Sequence, residues 1–177
     1  FLSAVQKALG KKLLPEEIFY YIYGILYSNV YRQKYEEFLQ IDFPRIPFTS
    51  DYQLFQKVSE LGKDLVELHL LKSPLLSQPE CKYPIIGTDR VESQQYQENT
   101  GRVFINSQQY FEGIPKEVWE YRIGSYQVLD KWLKDRKGRS LSPDDVEHYL
   151  NVITAIKHTI NLQQQIDKLY PNIEESL

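Results

Sequence analysis

The sequence predicts an α+β fold in which helical N- and C-terminal parts flank a small antiparallel sheet. Residues 15–72 and 142–170 repeat apolar side chains every three to four positions, as amphipathic helices do. Residues 83–112 lose that period and show short alternating runs bounded by turn residues. No internal repeat or low-complexity tract interrupts this order of helices, strands and helices.

The first helical signal is Leu14-Pro15-Glu16-Glu17, where a first-turn proline precedes two acids that the helix dipole favours. Ile18, Ile22, Ile25 and Leu26 form one stripe, and Tyr20, Tyr23, Tyr27 and Tyr31 form a second, so burial on two sides is expected, with Gly24 permitting close backbone approach. Ser28-Asn29 predicts a break and a new cap, after which Tyr31, Tyr35, Phe38 and Leu39 continue as a second helix. That helix runs into Asp42-Phe43-Pro44-Arg45-Ile46-Pro47-Phe48. Each proline fixes its own φ and pushes the preceding residue towards extended conformations, so residues 43–47 read as a stiff strap presenting Arg45.

Ser50-Asp51-Tyr52-Gln53 has the form of a capping box, opening a helix whose seam is Leu54, Val58, Leu61, Leu65 and Leu68, ending near Lys72. Val91, Val103 and Ile105 fit strands, and Glu98-Asn99-Thr100-Gly101 is the turn of a hairpin. Trp119, Tyr121 and Ile123 alternate with Glu120 and Arg122 as in a further strand. Gly124-Ser125 then turns into a helix of about eleven residues, roughly 16 Å long, carrying Val128, Leu129, Trp132 and Leu133 and stopped by Gly138. Ser142-Pro143-Asp144-Asp145 starts a final helix whose stripe of Val146, Leu150, Ile153, Ile156 and Ile160 reaches about Tyr170-Pro171.

A chain of 177 residues with 42% hydrophobic and 25% charged content is a single globular domain by size and composition, not a disordered or collagenous chain. No apolar run is long enough to cross a bilayer, no signal peptide is legible, and the single cysteine, Cys81, excludes an internal disulfide; a cytoplasmic protein without a membrane partner is expected. The sequence opens mid-pattern without methionine, as a piece of a longer polypeptide would.

Nucleotide-binding glycine loops, HExxH and GxSxG are all missing, and His69, His148 and His158 have no visible catalytic partner; no catalytic, cofactor or metal residue is expected. The net charge of −3 offers no overall attraction to a polyanion, yet residues 116–139 carry seven positive and four negative groups. Within that stretch Arg122, Gln127, Lys131, Lys134, Arg136, Lys137 and Arg139 sit beside a helix that would fit a major groove. Phosphates need cations and base edges need forked donors, although cations near a helix C-terminus also serve the dipole and solubility. The hairpin is amide-rich, with Gln94, Gln95, Gln97, Asn99, Asn106, Gln108 and Gln109 around Arg102. Glutamine and asparagine pair with adenine and arginine with guanine, so such a ribbon can read a groove; exposed hairpins use the same residues without any such role.

Three segments, in order, carry a resemblance: EEIFYYIYGILYSNVYRQKYEEFLQIDFPRIPF, LGKDLVELHL and VWEYRIGSYQVLDKWLKDRKGRSLSPDDVEHY. Together they resemble the C-terminal specificity region of type ISP restriction-modification enzymes and their adenine-specific DNA methyltransferase relatives. The likeness runs from about Pro15 to Tyr170, departing where Gly124-Ser125 stands in place of the family's usual Gly-Gly.

The resemblance implies that residues 1–177 are one C-terminal specificity domain: residues 1–50 a helical connection to an upstream methyltransferase domain, residues 51–177 the target-recognition part. It implies a module that binds double-stranded DNA and is itself no enzyme, within a parent that methylates adenine; the catalytic motif and the S-adenosylmethionine site would lie upstream. The side-chain assignments rest on chemistry alone. Lys131, Lys134, Arg136, Lys137 and Arg139 are expected on phosphates, and Arg102, Gln108, Gln109 and Arg122 on the bases, with Gln127 a further DNA contact and Gln95 and Arg45 as weaker candidates. For Arg45, pairing with Asp42 or a helix end is the favoured alternative to DNA contact. The rival reading is a non-catalytic protein-interaction or scaffold domain that docks another domain through its tyrosine and leucine faces.

Overall fold

The structure, a computed structural model, describes residues 2–176. Two compact units emerge, one built from residues up to Ser73 together with those from Thr159 onward, the other from Pro74–His158.

The first unit begins with α1 (Leu2–Leu9) and α2 (Pro15–Tyr27). Pro15 does occupy the first turn of α2, and the Glu17 carboxylate accepts from the Leu14 N–H. Ser28 ends α2 and caps α3 (Asn29–Lys34), its Oγ accepting from the Tyr31 N–H while donating to Asp167. The continuation expected through Phe38 is split, because α3 stops at Tyr35 and a separate short α4 (Glu36–Ile41) follows. Residues 43–49 have no regular structure, and two core tyrosines hold them: Tyr21 Oη donates to the Pro47 carbonyl at 2.8 Å and Tyr31 Oη to the Arg45 carbonyl at 3.1 Å.

Helix α5 (Tyr52–His69) is capped by Asp51, not Ser50. The Asp51 carboxylate accepts from the Gln53 and Leu54 N–H groups, whereas the Ser50 hydroxyl donates to the carbonyl of Ser176. Gly24 and Gly62 mark the crossing of α2 and α5; a Cβ on Gly62 would lie 1.9 Å from the Tyr20 carbonyl oxygen, and one on Gly24 would lie 3.0 Å from that of Val58. Only glycine at both positions lets the backbones meet this closely. Around the crossing, Tyr21 stacks between Phe48 and Phe55, with Ile18, Ile25, Leu54, Val58, Tyr170 and Ile173 completing the core.

The second unit holds an antiparallel sheet, β1 (Gln95–Gln97), β2 (Arg102–Phe104) and β3 (Tyr110–Glu112), in the order β1-β2-β3. Residues 98–101 are the hairpin turn, and Val103 pairs with Tyr96 on one side and Phe111 on the other. The strand expected at Trp119–Ile123 is shortened: Trp119 ends α6 (Lys116–Trp119), which starts after Pro115, and only Arg122–Ile123 (β4) pairs, with Tyr126–Gln127 (β5). Proline favours helix initiation, and Trp119 leaves the alternation to stack on Tyr96 at 5.4 Å. Helix α7 (Val128–Lys134) has seven residues instead of eleven.

Ser142 and Asp145 cap α8 (Pro143–Glu175) reciprocally. Its residues up to His158 belong to the second unit, where Tyr149 packs on Phe111 and Trp132; those from Thr159 onward belong to the first. Pro171 does not end α8, since the turns around it bury Tyr170 and Ile173 in the first unit's core, which outweighs one lost hydrogen bond. Among the described residues no helix is long and apolar enough to cross a membrane.

Candidate nucleic-acid interface

Helix α7 was expected to offer a basic face, but its cations are paired with acids. Lys131 bonds Asp135 and Lys134 bonds Asp130, both at 2.5 Å. Arg136 contacts Asp145 at 3.2 Å and lies 3.5 Å above the Trp132 ring. The Asp145 carboxyl is held below the usual carboxylate range, first by the Ser142 N–H and then by Arg136. Exposed pairs four residues apart are worth only about 0.3–0.5 kcal/mol, so the lysines can leave their acids; even so, an acid so close cancels much of the attraction each exerts on a phosphate. Arg102 is likewise compensated, by its cross-strand neighbour Glu112 at 3.1 Å, and is stacked 4.2 Å over Tyr110.

Two glutamines have structural duties. Gln109 is 1% exposed. Its Nε2 donates to the Ile85 carbonyl at 3.0 Å and Asp89 Oδ1 at 2.7 Å, and its Oε1 accepts from the Asp89 N–H at 2.8 Å and Asn106 Nδ2 at 3.0 Å. That corrects the expectation of Gln109 as a base reader: all four hydrogen-bonding positions of its amide are occupied by the protein. Gln127 Nε2 donates to the Trp119 carbonyl at 2.7 Å, tying β5 to the end of α6.

Other candidates remain open to solvent. Gln95 and Gln97 are exposed on β1 and, with Glu92, Ser93, Phe104, Asn106 and Ser107, line a groove of about 500 Å³. Gln108 is exposed, its backbone N–H bonded to Asn106. Arg122 is exposed and bonds the Ser125 carbonyl at 2.7 Å, and among the described residues no acid compensates its charge. Among the described residues Lys137 and Arg139 have no side-chain partner.

The structure also adds a residue. The Val91 N–H donates to the Arg139 carbonyl, the Leu141 N–H to the Asp89 carbonyl, and Arg90 faces Ser140 across an antiparallel bridge. Arg90, exposed and without an acid among the described residues, is thereby carried next to the backbone of residues 138–140, in the segment that also holds Lys137 and Arg139. No periodicity signals this, because the pairing spans two loops far apart in sequence. Arg45 lies in the first unit, 94% exposed, with Asp42 at 3.9 Å.

Three solved structures share this fold. A nuclease-deletion mutant of the Type ISP restriction-modification enzyme LlaGI in complex with a DNA substrate mimic superposes with a TM-score of 0.65 at 23% identity, over 88% of this chain and 14% of that one. The cryoEM structure of a DrdV–DNA complex gives 0.70 at 22% identity, over 94% and 19%. The ATP-dependent Type ISP enzyme LlaBIII bound to DNA gives 0.67 at 22%, over 93% and 12%. The chain thus spans between 12% and 19% of the length of those proteins. No curated protein matches it. The family model for the Type ISP C-terminal specificity domain matches residues 1–165, nearly the whole of both units; the chain belongs to that family.

Proposed function

We propose that the chain is the sequence-specific DNA recognition module of a restriction-modification enzyme. The observation that carries this is the match to a specificity-domain family over residues 1–165. The second unit supports it with two chemically suited features: the groove lined by Gln95, Gln97 and Glu92, whose amides and carboxylate can address adenine and cytosine edges, and the exposed cations Arg90, Arg122, Lys137 and Arg139, which no acid among the described residues neutralises.

The module itself carries out no chemistry in this reading. The parent would transfer a methyl group from S-adenosylmethionine to adenine N6, using an upstream domain to bind the cofactor and a flipped base. Residues 1–50 would connect to that domain. Phe38, Ile41 and Phe43, which are 65%, 81% and 91% exposed around a cavity of about 330 Å³, suit such a docking role, and the scaffold reading then describes the first unit without displacing DNA binding by the second.

Fluorescence anisotropy of the full-length protein with duplex DNA tests the proposal. Four uncompensated cations on phosphates predict that log affinity falls against log salt with a slope of about −3 to −4. Binding that ignores salt, or no binding to any duplex, would reject it.

A further inference from the structure

The segment Tyr83-Pro84-Ile85-Ile86-Gly87-Thr88-Asp89-Arg90 was not singled out by its sequence, yet the second unit holds it with unusual care. Gln109 grips it from beneath through the Ile85 carbonyl and both the N–H and carboxylate of Asp89. Tyr83 Oη donates to the same carboxylate at 3.0 Å, and Asn106 Nδ2 donates to the Arg90 carbonyl at 3.0 Å. Gly87 lies so close to the Gln109 amide that a Cβ would come within 2.6 Å of it. Asp89 adopts a left-handed φ of 56°, an uncommon state for a non-glycine residue that persists only where the surroundings impose it.

This effort presents an apolar tip. Ile86 is 100% exposed at the rim of a cavity it lines with Ile85, Leu141 and Val146, so burial among the described residues does not explain an isoleucine there. At the end of the same loop stands Arg90, and backbone pairing runs the segment that carries Lys137 and Arg139 alongside it. A rigid apolar tip next to free cations matches a duplex, where phosphates flank a major groove whose main apolar feature is the thymine 5-methyl group.

Building on the DNA-binding reading above, we infer that residues 84–90 form a base-reading loop in which Ile86 contacts a thymine methyl while Arg90, Lys137 and Arg139 hold the adjacent phosphates. Pre-ordering by Gln109 lowers the entropy lost when the loop docks. The sheet groove is then a second reading surface, not the sole one.

The test uses the full-length protein and duplexes enriched by it from a randomised pool. Ile86→Ala should weaken binding to the enriched duplex about 15- to 60-fold, with unrelated duplexes and the salt slope unaffected, since roughly two to three buried carbon groups are lost. Replacing one particular thymine by deoxyuridine should cost the parent protein about fourfold, the contribution of one methyl group, and cost Ile86→Ala nothing further. Arg90→Ala combined with Arg139→Ala should flatten the salt slope by about 1.8 on all duplexes. Equal binding by Ile86→Ala and the parent protein, or losses that no deoxyuridine reproduces, would overturn the methyl contact while leaving DNA recognition standing. Absence of binding by the parent protein itself would instead sink the reading beneath it.

Discussion

Gln109 shows how one side chain can organise a surface it does not reach. From the position just before β3, its amide makes three hydrogen bonds to the 85–89 loop and accepts a fourth from Asn106, with the residue itself 1% exposed. Gln109→Ala should destabilise the protein by about 3 kcal/mol, read from urea unfolding, because a buried carbonyl, an N–H and an amide lose their partners together. Gln109→Glu should be no milder: it keeps the acceptor but sets a second carboxylate against Asp89. At the same scale, His69 makes the first unit sensitive to acid. Its Nδ1 shares a hydrogen bond with Tyr23 Oη at 2.8 Å and its Nε2 one with Thr159 Oγ1 at 3.0 Å, and burial holds its pKa below the ordinary histidine value. The unfolded chain therefore binds the proton more readily than the folded one. Its contribution to stability is complete above about pH 6.5 and is lost as pH falls through the lower folded value. Urea midpoints measured at pH 7 and pH 5 should differ in the parent protein, and His69→Asn should lessen the difference.

At the scale of elements, the crossing of α2 and α5 depends on two glycines, Gly62 facing only main chain and Gly24 facing both the main chain and the side chain of Val58. Gly62→Ala should cost about 3 kcal/mol or more, because the new methyl meets the Tyr20 carbonyl; Gly24→Ala should cost about 1 kcal/mol, since Val58 can give slightly. Thermal unfolding of the two variants should rank them in that order. Gly24 was legible in the sequence because it interrupts two apolar stripes on one helix. Gly62 was not, since its need for closeness comes from a residue 42 positions earlier. Similarly, Trp119 reads as the start of an alternating run, but it closes α6 and stacks on Tyr96, so only Arg122 and Ile123 of that run form a strand.

For the whole molecule, the division into two units invites a direct measurement. Cys81 is buried in the second unit, its thiol near the Leu150 carbonyl and Thr154, and burial pushes its pKa up. Labelling by a disulfide reagent under native conditions should be slower than in denaturant by about three orders of magnitude, corresponding to an opening free energy of about 4 kcal/mol. Gln109→Ala, in the same unit, should accelerate that labelling more than Gly62→Ala, which acts in the first; equal acceleration would mean that the two units open as one.

The sequence by itself determined what short-range physics controls. Pro15, Ser28 and Ser142 set helix starts through the first turn's unpaired N–H groups, the 98–101 turn set the hairpin, and apolar spacing set the α+β class. Only the tertiary structure decided which polar groups were left for a partner. Arg136 meets Asp145 and Arg102 meets Glu112, Gln109 is enclosed beneath residues 85–89, and Arg90 is carried to Arg139 by backbone pairing between distant loops. The charge and hydrogen-bonding capacity of a side chain are properties of its residue type, but whether they are spent inside the fold depends on neighbours that chain folding alone brings within a few ångströms.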